Sequence, residues 1–98
     1  MKIIAVTACP TGIAHTYMAA EQLEKTAKKL GHTIKVETQG AMGIENKLSQ
    51  ADIDAADALI VAADIAVEEP DRFAALRKVE VPVQMALTNP EAIFARIS

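Results

Sequence analysis

The chain has little of several residue types on which whole classes of function depend. It has one cysteine and no tryptophan, and aromatic residues make up 3% of its 98 residues. So few aromatic side chains argue against a surface that stacks on bases or sugar rings. A net charge of −3 argues against nucleic-acid binding, which needs a basic stripe. One cysteine cannot form a disulfide within the chain, so we expect a reducing, cytoplasmic location and no secretory leader.

The chain also lacks a long apolar run. No stretch approaches the roughly 18–20 residues that a helix needs to span a bilayer, so any contact with a membrane is expected to pass through a partner. Apolar residues make up 51% of the chain, and its length suits a single domain over residues 1–98 with one modest core.

Short apolar segments alternate with segments of helical periodicity. The predicted strands are residues 2–7, 32–38, 57–63 and 79–87, and Pro82 within the last one favours an edge position. The predicted helices are residues 16–30, 50–56, 70–76 and a last one that begins after Asn89. Residues 39–47 are expected to form a loop, because they contain two glycines, Gly40 and Gly43.

This alternation predicts an α/β fold. We expect an open four-stranded parallel sheet with helices on both faces, a Rossmann-like three-layer sandwich. The first and third strands are the most apolar and should be central, which makes the second and fourth strands edges and gives the order 2-1-3-4. In such a sheet, ligands bind beyond the carboxyl ends of the central strands, and Cys9 comes just after the first one.

The segment after the first strand combines a nucleophile with groups that bind anions. It reads Cys9, Pro10, Thr11, Gly12, Ile13, Ala14, His15 and Thr16, and it leads into the first helix. Backbone N–H groups and the helix dipole at such a place favour a thiolate and bind phosphate. We therefore predict that Cys9 takes up a phosphoryl group. The alternative is a small buried apolar side chain, but Pro10 and Gly12 favour a binding loop.

His15 stands where a thiol phosphatase of the pattern Cys-x5-Arg has its arginine. Such a phosphatase also needs an aspartate as general acid, often before a proline, and the comparable dipeptide here is Asn89-Pro90. A phosphocysteine at Cys9 is therefore expected to resist water and to react with a positioned acceptor. His15 itself either donates to the phosphate or is a partly solvated residue of the first helical turn.

Several groups of residues recur, in the same order, in one known family. They are residues 9–16 with Met18-Ala19-Ala20-Glu21, then Lys35-Val36-Glu37-Thr38-Gln39-Gly40 with Gly43-Ile44-Glu45, then Asp52-Ile53 and Ala56-Asp57 with Ala62-Ala63-Asp64-Ile65, and finally Arg72-Phe73. In these residues the chain resembles the fructose-type IIB domain of the bacterial phosphoenolpyruvate-dependent sugar phosphotransferase system. It departs from that family at Ala74-Ala75, where Gly-Lys is usual.

The resemblance implies a transferase that carries a phosphoryl group. A phosphohistidine on a IIA protein would donate to Cys9, and Cys9 would pass the group to fructose or a fructose-like sugar held by the membrane protein IIC. By position, the phosphate-binding residues implied are Pro10, Thr11, Gly12, Ile13, Ala14, His15 and Thr16. No metal or organic cofactor is implied within the domain.

Two other functions stay open at this point. One is a thiol phosphatase or an arsenate-reductase-like enzyme, and the other is a regulatory binding module without catalysis. Glu37 and Gln39, at the end of the second strand, are either part of a surface that docks a partner or solvated polar residues of an edge strand. The identity of the sugar and the presence of attached IIA or IIC segments are also open.

Overall fold

The protein is described by a computed structural model over residues 1–9, 13–40 and 43–97, without the side chains at positions 13 and 14. The strands are β1 (Lys2–Ala8), β2 (Thr33–Gly40), β3 (Gly43–Glu45), β4 (Ala58–Ala63) and β5 (Lys78–Val81). The helices are α1 (Ile13–Lys29), α2 (Gln50–Ala55), α3 (Val83–Thr88) and α4 (Pro90–Ala95), and a 3₁₀ helix forms at Pro70–Phe73.

The sheet is open, five-stranded and mostly parallel. Its strand order is β3-β2-β1-β4-β5, in which β1 pairs in parallel with both β2 and β4, and β4 pairs in parallel with β5. The predicted α/β class and the predicted order of the four parallel strands are therefore confirmed. The most apolar strands, β1 and β4, are central neighbours, as expected for strands that are covered on both faces.

The expectation of a four-stranded sheet with β2 at its edge is wrong. Residues 43–45 form a short strand, β3, which runs antiparallel to the end of β2 and pairs Gly40 with Gly43. Gly43 has a φ of +86°, a conformation that favours glycine over other residues. The two glycines that suggested a loop thus pair with each other across β2 and β3.

The last strand is shorter than predicted. β5 ends at Val81, and residues 83–88 form α3 with Pro82 as its N-cap. Proline has no N–H to continue the sheet, and its fixed φ suits the start of a helix. Val83 and Ala86, three residues apart, are buried on one side of this helix, although the continuous apolar run resembled a strand.

The remaining helices lie where the sequence predicts them, but their lengths differ from the prediction. α1 begins three residues earlier than predicted, and α2 begins as predicted after Ser49, which forms a capping box with Asp52. The predicted helix over residues 70–76 is reduced to the 3₁₀ helix Pro70–Phe73.

Helices cover both faces of the sheet, as predicted, and each face has its own core. One core combines α1, α3 and α4 with β1 residues such as Ile3 and Ala5. The other combines Ile4 and Val6 of β1 with Ile53 of α2 and Phe73 of the 3₁₀ helix. Successive residues of β1 thus alternate between two apolar layers, which fixes its register.

Candidate functional site

Cys9 lies at the carboxyl end of the central strand. It follows β1 directly, and residues 10–12 separate it from the start of α1. The backbone N–H of Asp64 donates to the carbonyl oxygen of Ala8 at 3.0 Å, which holds the end of β4 level with the end of β1. The side chain of Cys9 is only 3% exposed, and it packs with the core residues beneath α1.

A cavity of about 360 Å³ opens beside Cys9 at this edge of the sheet. Its lining comes from the end of β2, the start of β3 and the loop of residues 64–69, and it comprises Cys9, Gln39, Gly40, Gly43, Ile65, Ala66 and Glu68. Among these described lining residues, Glu68 is the one charged side chain and there is no lysine or arginine. An anion bound here would therefore depend on backbone N–H groups for its hydrogen bonds.

The predicted phosphate-binding segment lies partly within the described structure. Pro10, Thr11 and Gly12 are outside the described residues, and Ile13 and Ala14 are described only as the first residues of α1. Their predicted contacts with a phosphoryl group stay predictions.

His15 and Thr16, the last two residues of the segment, have opposite environments. His15 is exposed in the first turn of α1, whereas Thr16 is buried. The hydroxyl of Thr7 donates to the carbonyl oxygen of Thr16 at 3.2 Å, which ties the first turns of α1 to β1. A Cβ at Gly40 would lie 3.7 Å from the Thr16 hydroxyl, so α1 also packs closely on the end of β2.

Glu37 and Gln39 have neither of the roles that the sequence suggested. Glu37 is 0% exposed and Gln39 is 3% exposed, so they are neither solvated edge residues nor a docking surface. Both guanidinium NH2 groups of Arg72 donate to the Glu37 carboxylate, at 2.9 and 3.0 Å. The Leu48 backbone N–H and the Gln39 side-chain amide donate to the same carboxylate at 2.9 and 2.7 Å.

These hydrogen bonds keep Glu37 ionised despite its burial. Burial alone raises the pKa of the carboxyl, because it removes the charge from water. The hydrogen bonds from Arg72, Leu48 and Gln39 together outweigh burial and hold the pKa of Glu37 below its usual 4.5. The charge of Arg72 acts in the same direction, so this is a buried ion pair whose carboxylate oxygens both have partners.

The network also reaches the cavity loop. The side-chain amide oxygen of Gln39 accepts from the Glu68 backbone N–H at 2.7 Å, and the side-chain NH2 group of Gln39 donates to the Glu68 backbone carbonyl at 3.4 Å. Arg72 donates to the carbonyl oxygens of Glu68 and Glu69 at 3.1 and 2.9 Å, and its guanidinium lies 4.5 Å from the centre of the Phe73 ring. Two walls of the Cys9 cavity are thus joined by side chains.

A second link joins α1 to β3 at the same end of the molecule. The Tyr17 hydroxyl donates to the Glu45 carboxylate, and this hydrogen bond raises the pKa of Tyr17 above its usual value. Tyr17 is 40% exposed, and it belongs to neither of the two cores.

Residues 1–9, 13–40 and 43–97 contain neither a metal site nor a helix that could span a membrane. No group of three or more His, Cys, Asp or Glu side chains in these ranges is arranged to hold a metal ion. None of the helices there is both long and apolar enough to cross a bilayer.

The chain is similar to IIB components of phosphotransferase systems. A family model described as "PTS system, Lactose/Cellobiose specific IIB subunit" matches residues 4–96. The chain is 50% identical to the PTS system fructose-like EIIB component 2 of Escherichia coli (strain K12), over 98% of this chain and 91% of that protein. It is 52% identical to the PTS system fructose-specific EIIABC component of Bacillus subtilis (strain 168), over 97% of this chain but only 15% of that longer protein.

A solved structure has the same fold. The chain superposes on a domain of the fructose-specific IIABC component of Borrelia burgdorferi with a TM-score of 0.92 and 45% sequence identity, covering 97% of this chain and 90% of that domain. The resemblance to the IIB family is therefore confirmed over nearly the whole chain, including residues 74–96, which follow the last family motif.

Proposed function

Because the chain belongs to the fructose-like IIB family of the sugar phosphotransferase system, we propose that Cys9 carries a phosphoryl group between two partner proteins. The donor is a phosphohistidine on a IIA protein, and the acceptor is fructose or a fructose-like sugar held by a membrane protein, IIC. The EIIABC component of Bacillus subtilis carries A, B and C in the name of a single chain, which supports both partners. The names of two relatives contain the words fructose-like and fructose-specific, which supports a sugar of the fructose class.

The position of Cys9 is the observation that carries this proposal. Its thiol ends the central strand, beside a cavity that opens at the carboxyl edge of the sheet. This is the place where open α/β sheets bind ligands, because the loops after the strands separate there. The residues between β1 and α1 would supply backbone N–H groups to the phosphoryl oxygens.

Two displacement steps account for the transfer. The Cys9 thiolate attacks phosphorus, an S–P bond forms, and the P–N bond to the IIA histidine breaks with the electron pair returning to the imidazole. A sugar hydroxyl then attacks the same phosphorus, its proton passes to a base on the acceptor protein, and the thiolate leaves. Docking supplies the alignment that phosphoryl transfer chiefly needs.

The charges of the cavity favour transfer over hydrolysis. Thiol phosphatases stabilise the transferring group with an arginine, and the described lining of this cavity has a carboxylate, Glu68, and no cation. His15, at the position of that arginine, is exposed in the first turn of α1. We therefore expect the phosphocysteine to decay slowly in water and to discharge rapidly to docked IIC and sugar.

Incubation with phosphoenolpyruvate, the general phosphotransferase proteins and a matching IIA tests the proposal. The wild-type chain should gain one phosphoryl group by intact mass, and Cys9→Ala should gain none. His32→Gln is the matched control, because His32 is a possible phosphate acceptor that stacks on Phe94 rather than lining the cavity. A label that survives in Cys9→Ala contradicts the proposal, and so does a phosphoprotein that decays in water as fast as it discharges to sugar.

A further inference from the structure

We propose that Glu37, Gln39 and Arg72 are positioning residues that hold the loop of residues 64–69 as a fixed wall of the Cys9 cavity. Through this wall they set the rate at which Cys9 takes up a phosphoryl group. The effect on rate rests on the proposed function of Cys9, whereas the effect on the loop itself does not.

The Glu37 carboxylate is the fixed point of this arrangement. Each of its oxygens accepts one bond from Arg72 and one further bond, from the Leu48 backbone or from Gln39. A bidentate pair of this kind fixes the orientation of the guanidinium as well as its distance. The Arg72 side chain therefore has one geometry available, on the face of the sheet opposite α1.

Gln39 transmits that geometry to the loop. Its side-chain amide binds the backbone N–H and carbonyl of Glu68, as a neighbouring strand would, while its NH2 group also donates to Glu37. Gln39 and Glu68 both line the cavity beside Cys9. A shift of the Gln39 amide would therefore move the cavity wall directly.

Arg72 holds the far end of the same loop. It binds the carbonyl oxygens of Glu68 and Glu69. Glu69 has a φ of 52°, in the left-handed region that residues other than glycine seldom adopt. A backbone conformation of this kind persists only where the surroundings hold it. Arg72 binds the carbonyl oxygens of the two peptide groups on either side of the Glu69 Cα.

Apolar burial does little to hold this loop. Ile65 is 43% exposed, and Val67 is the one half-buried residue between Asp64 and Glu69. Asp64 fixes the first end, since its carboxylate accepts from the Val83 backbone N–H at 3.2 Å. A buried ion pair adds little stability beyond what apolar side chains of the same size would provide, so we assign its role to the geometry of the loop.

The experiment compares Arg72→Gln, Arg72→Lys and Glu37→Gln with the wild type, all in the complete chain and with folding checked by circular dichroism. Alkylation of Cys9 by iodoacetamide reports access to the thiol. It should be about threefold faster or more in Arg72→Gln, because the released loop opens more often. Hydrogen exchange at the Glu68 and Leu48 amides should also accelerate, since both donate to side chains of the network.

Loading of Cys9 from phosphorylated IIA is the second readout. The maximal rate should fall about tenfold in Arg72→Gln, with little change in the IIA concentration for half-maximal rate, because alignment is lost and docking is kept. Arg72→Lys keeps the charge but not the two-point geometry. It should restore stability more completely than it restores the loading rate.

Two control variants separate positioning from general loss of stability. Lys35→Gln removes another ion pair of β2, the 2.7 Å contact with Asp52, two residues before Glu37 on the same face of the sheet. Ile53→Ala weakens the core on that face without touching the network. Both should leave Cys9 alkylation and the maximal loading rate near the wild-type values.

Unchanged alkylation and unchanged exchange at Glu68 in folded Arg72→Gln would overturn the inference, and so would equal changes in Ile53→Ala. If the wild type takes up no phosphoryl group, the proposed function fails, while alkylation and exchange still test the loop. If Cys9 is phosphorylated but Arg72→Gln loads at the normal rate, only the positioning role fails.

Discussion

Three helices, α1, α3 and α4, cover one face of the sheet, whereas α2 and a single 3₁₀ turn cover the other. Under the three helices, the core contains fully buried aliphatic residues such as Leu23 and Ile93. On the thinner face, a smaller core is formed by seven buried apolar residues among those that the structure describes, and the buried pair of Glu37 and Arg72 lies on the same side of the sheet.

The two faces differ because only the thinner one has to fix the position of an irregular loop. Three helices bring enough apolar surface to cover one face of the sheet by packing alone. Apolar packing has no direction, so it does not by itself fix the position of a particular loop. The thinner face has to hold the irregular loop of residues 64–69 against the end of β2. Hydrogen bonds between charged groups have direction, so they can specify one loop position where few apolar contacts are available.

Replacement of Arg72 should produce the largest loss of unfolding free energy. Arg72→Met leaves the Glu37 carboxylate buried without its cation, and breaking a buried pair in this way costs about 3–5 kcal/mol of unfolding free energy. Denaturant titration measures the loss. The double variant Arg72→Met with Glu37→Gln should recover part of it, because the neutral amide still accepts from Leu48. A double variant no more stable than the single one would show that the stranded charge is not the cause.

Leu23→Ala tests the opposite face. Leu23 is fully buried against the sheet under α1, so its truncation should cost about 2–5 kcal/mol through lost burial and the cavity left behind. Since no ionisable group is involved, the loss should be the same in neutral and mildly acidic solution. Met18→Ala, at an exposed position of the same helix, is the control and should change stability by less than about 0.5 kcal/mol.

The smallest expected effect is the pH dependence of stability, which should be present on the face that contains Glu37 and absent on the face under α1. The lowered pKa of Glu37 means that its contribution to stability is complete above the usual 4.5 and is lost as the pH falls through the folded-state pKa. The stability difference between wild type and Glu37→Gln should therefore narrow between about pH 7 and about pH 3. The Lys35 hydrogen bond lowers the pKa of Asp52 to about 2, and this group titrates in both proteins, so its contribution cancels. A constant difference would contradict an ionised Glu37.

The parallel strands could be predicted because each carries its own signal. β1 and β4 are short and continuously apolar, which identifies central strands before any packing is known. β3 has only three residues and little hydrophobic character, so its pairing depends on the close approach of Gly40 and Gly43. At Pro82 the local signal was ambiguous, because a short apolar run suits a strand and a buried helix equally.

The candidate site likewise has one part that could be predicted from the sequence and one part that could not. Cys9 could be placed at the carboxyl edge because its position follows from the order of the strands. The link between Glu37 and Arg72 could not be predicted, although both belong to the segments that carried the family resemblance. They are 35 positions apart in sequence, and nothing local to either residue shows that the other will face it.

The sequence by itself determined the order of the four parallel strands, the helices on both faces and the place of the thiol, since apolar periodicity and chain order act through neighbouring residues. Only the tertiary structure decided that Glu37 and Gln39 are buried. In the sequence they resemble polar residues of an exposed strand, and their burial depends on a guanidinium and a loop from the other half of the chain. Such an ionised group can lie out of water only where distant partners replace its hydration, and those partners meet only in the folded chain.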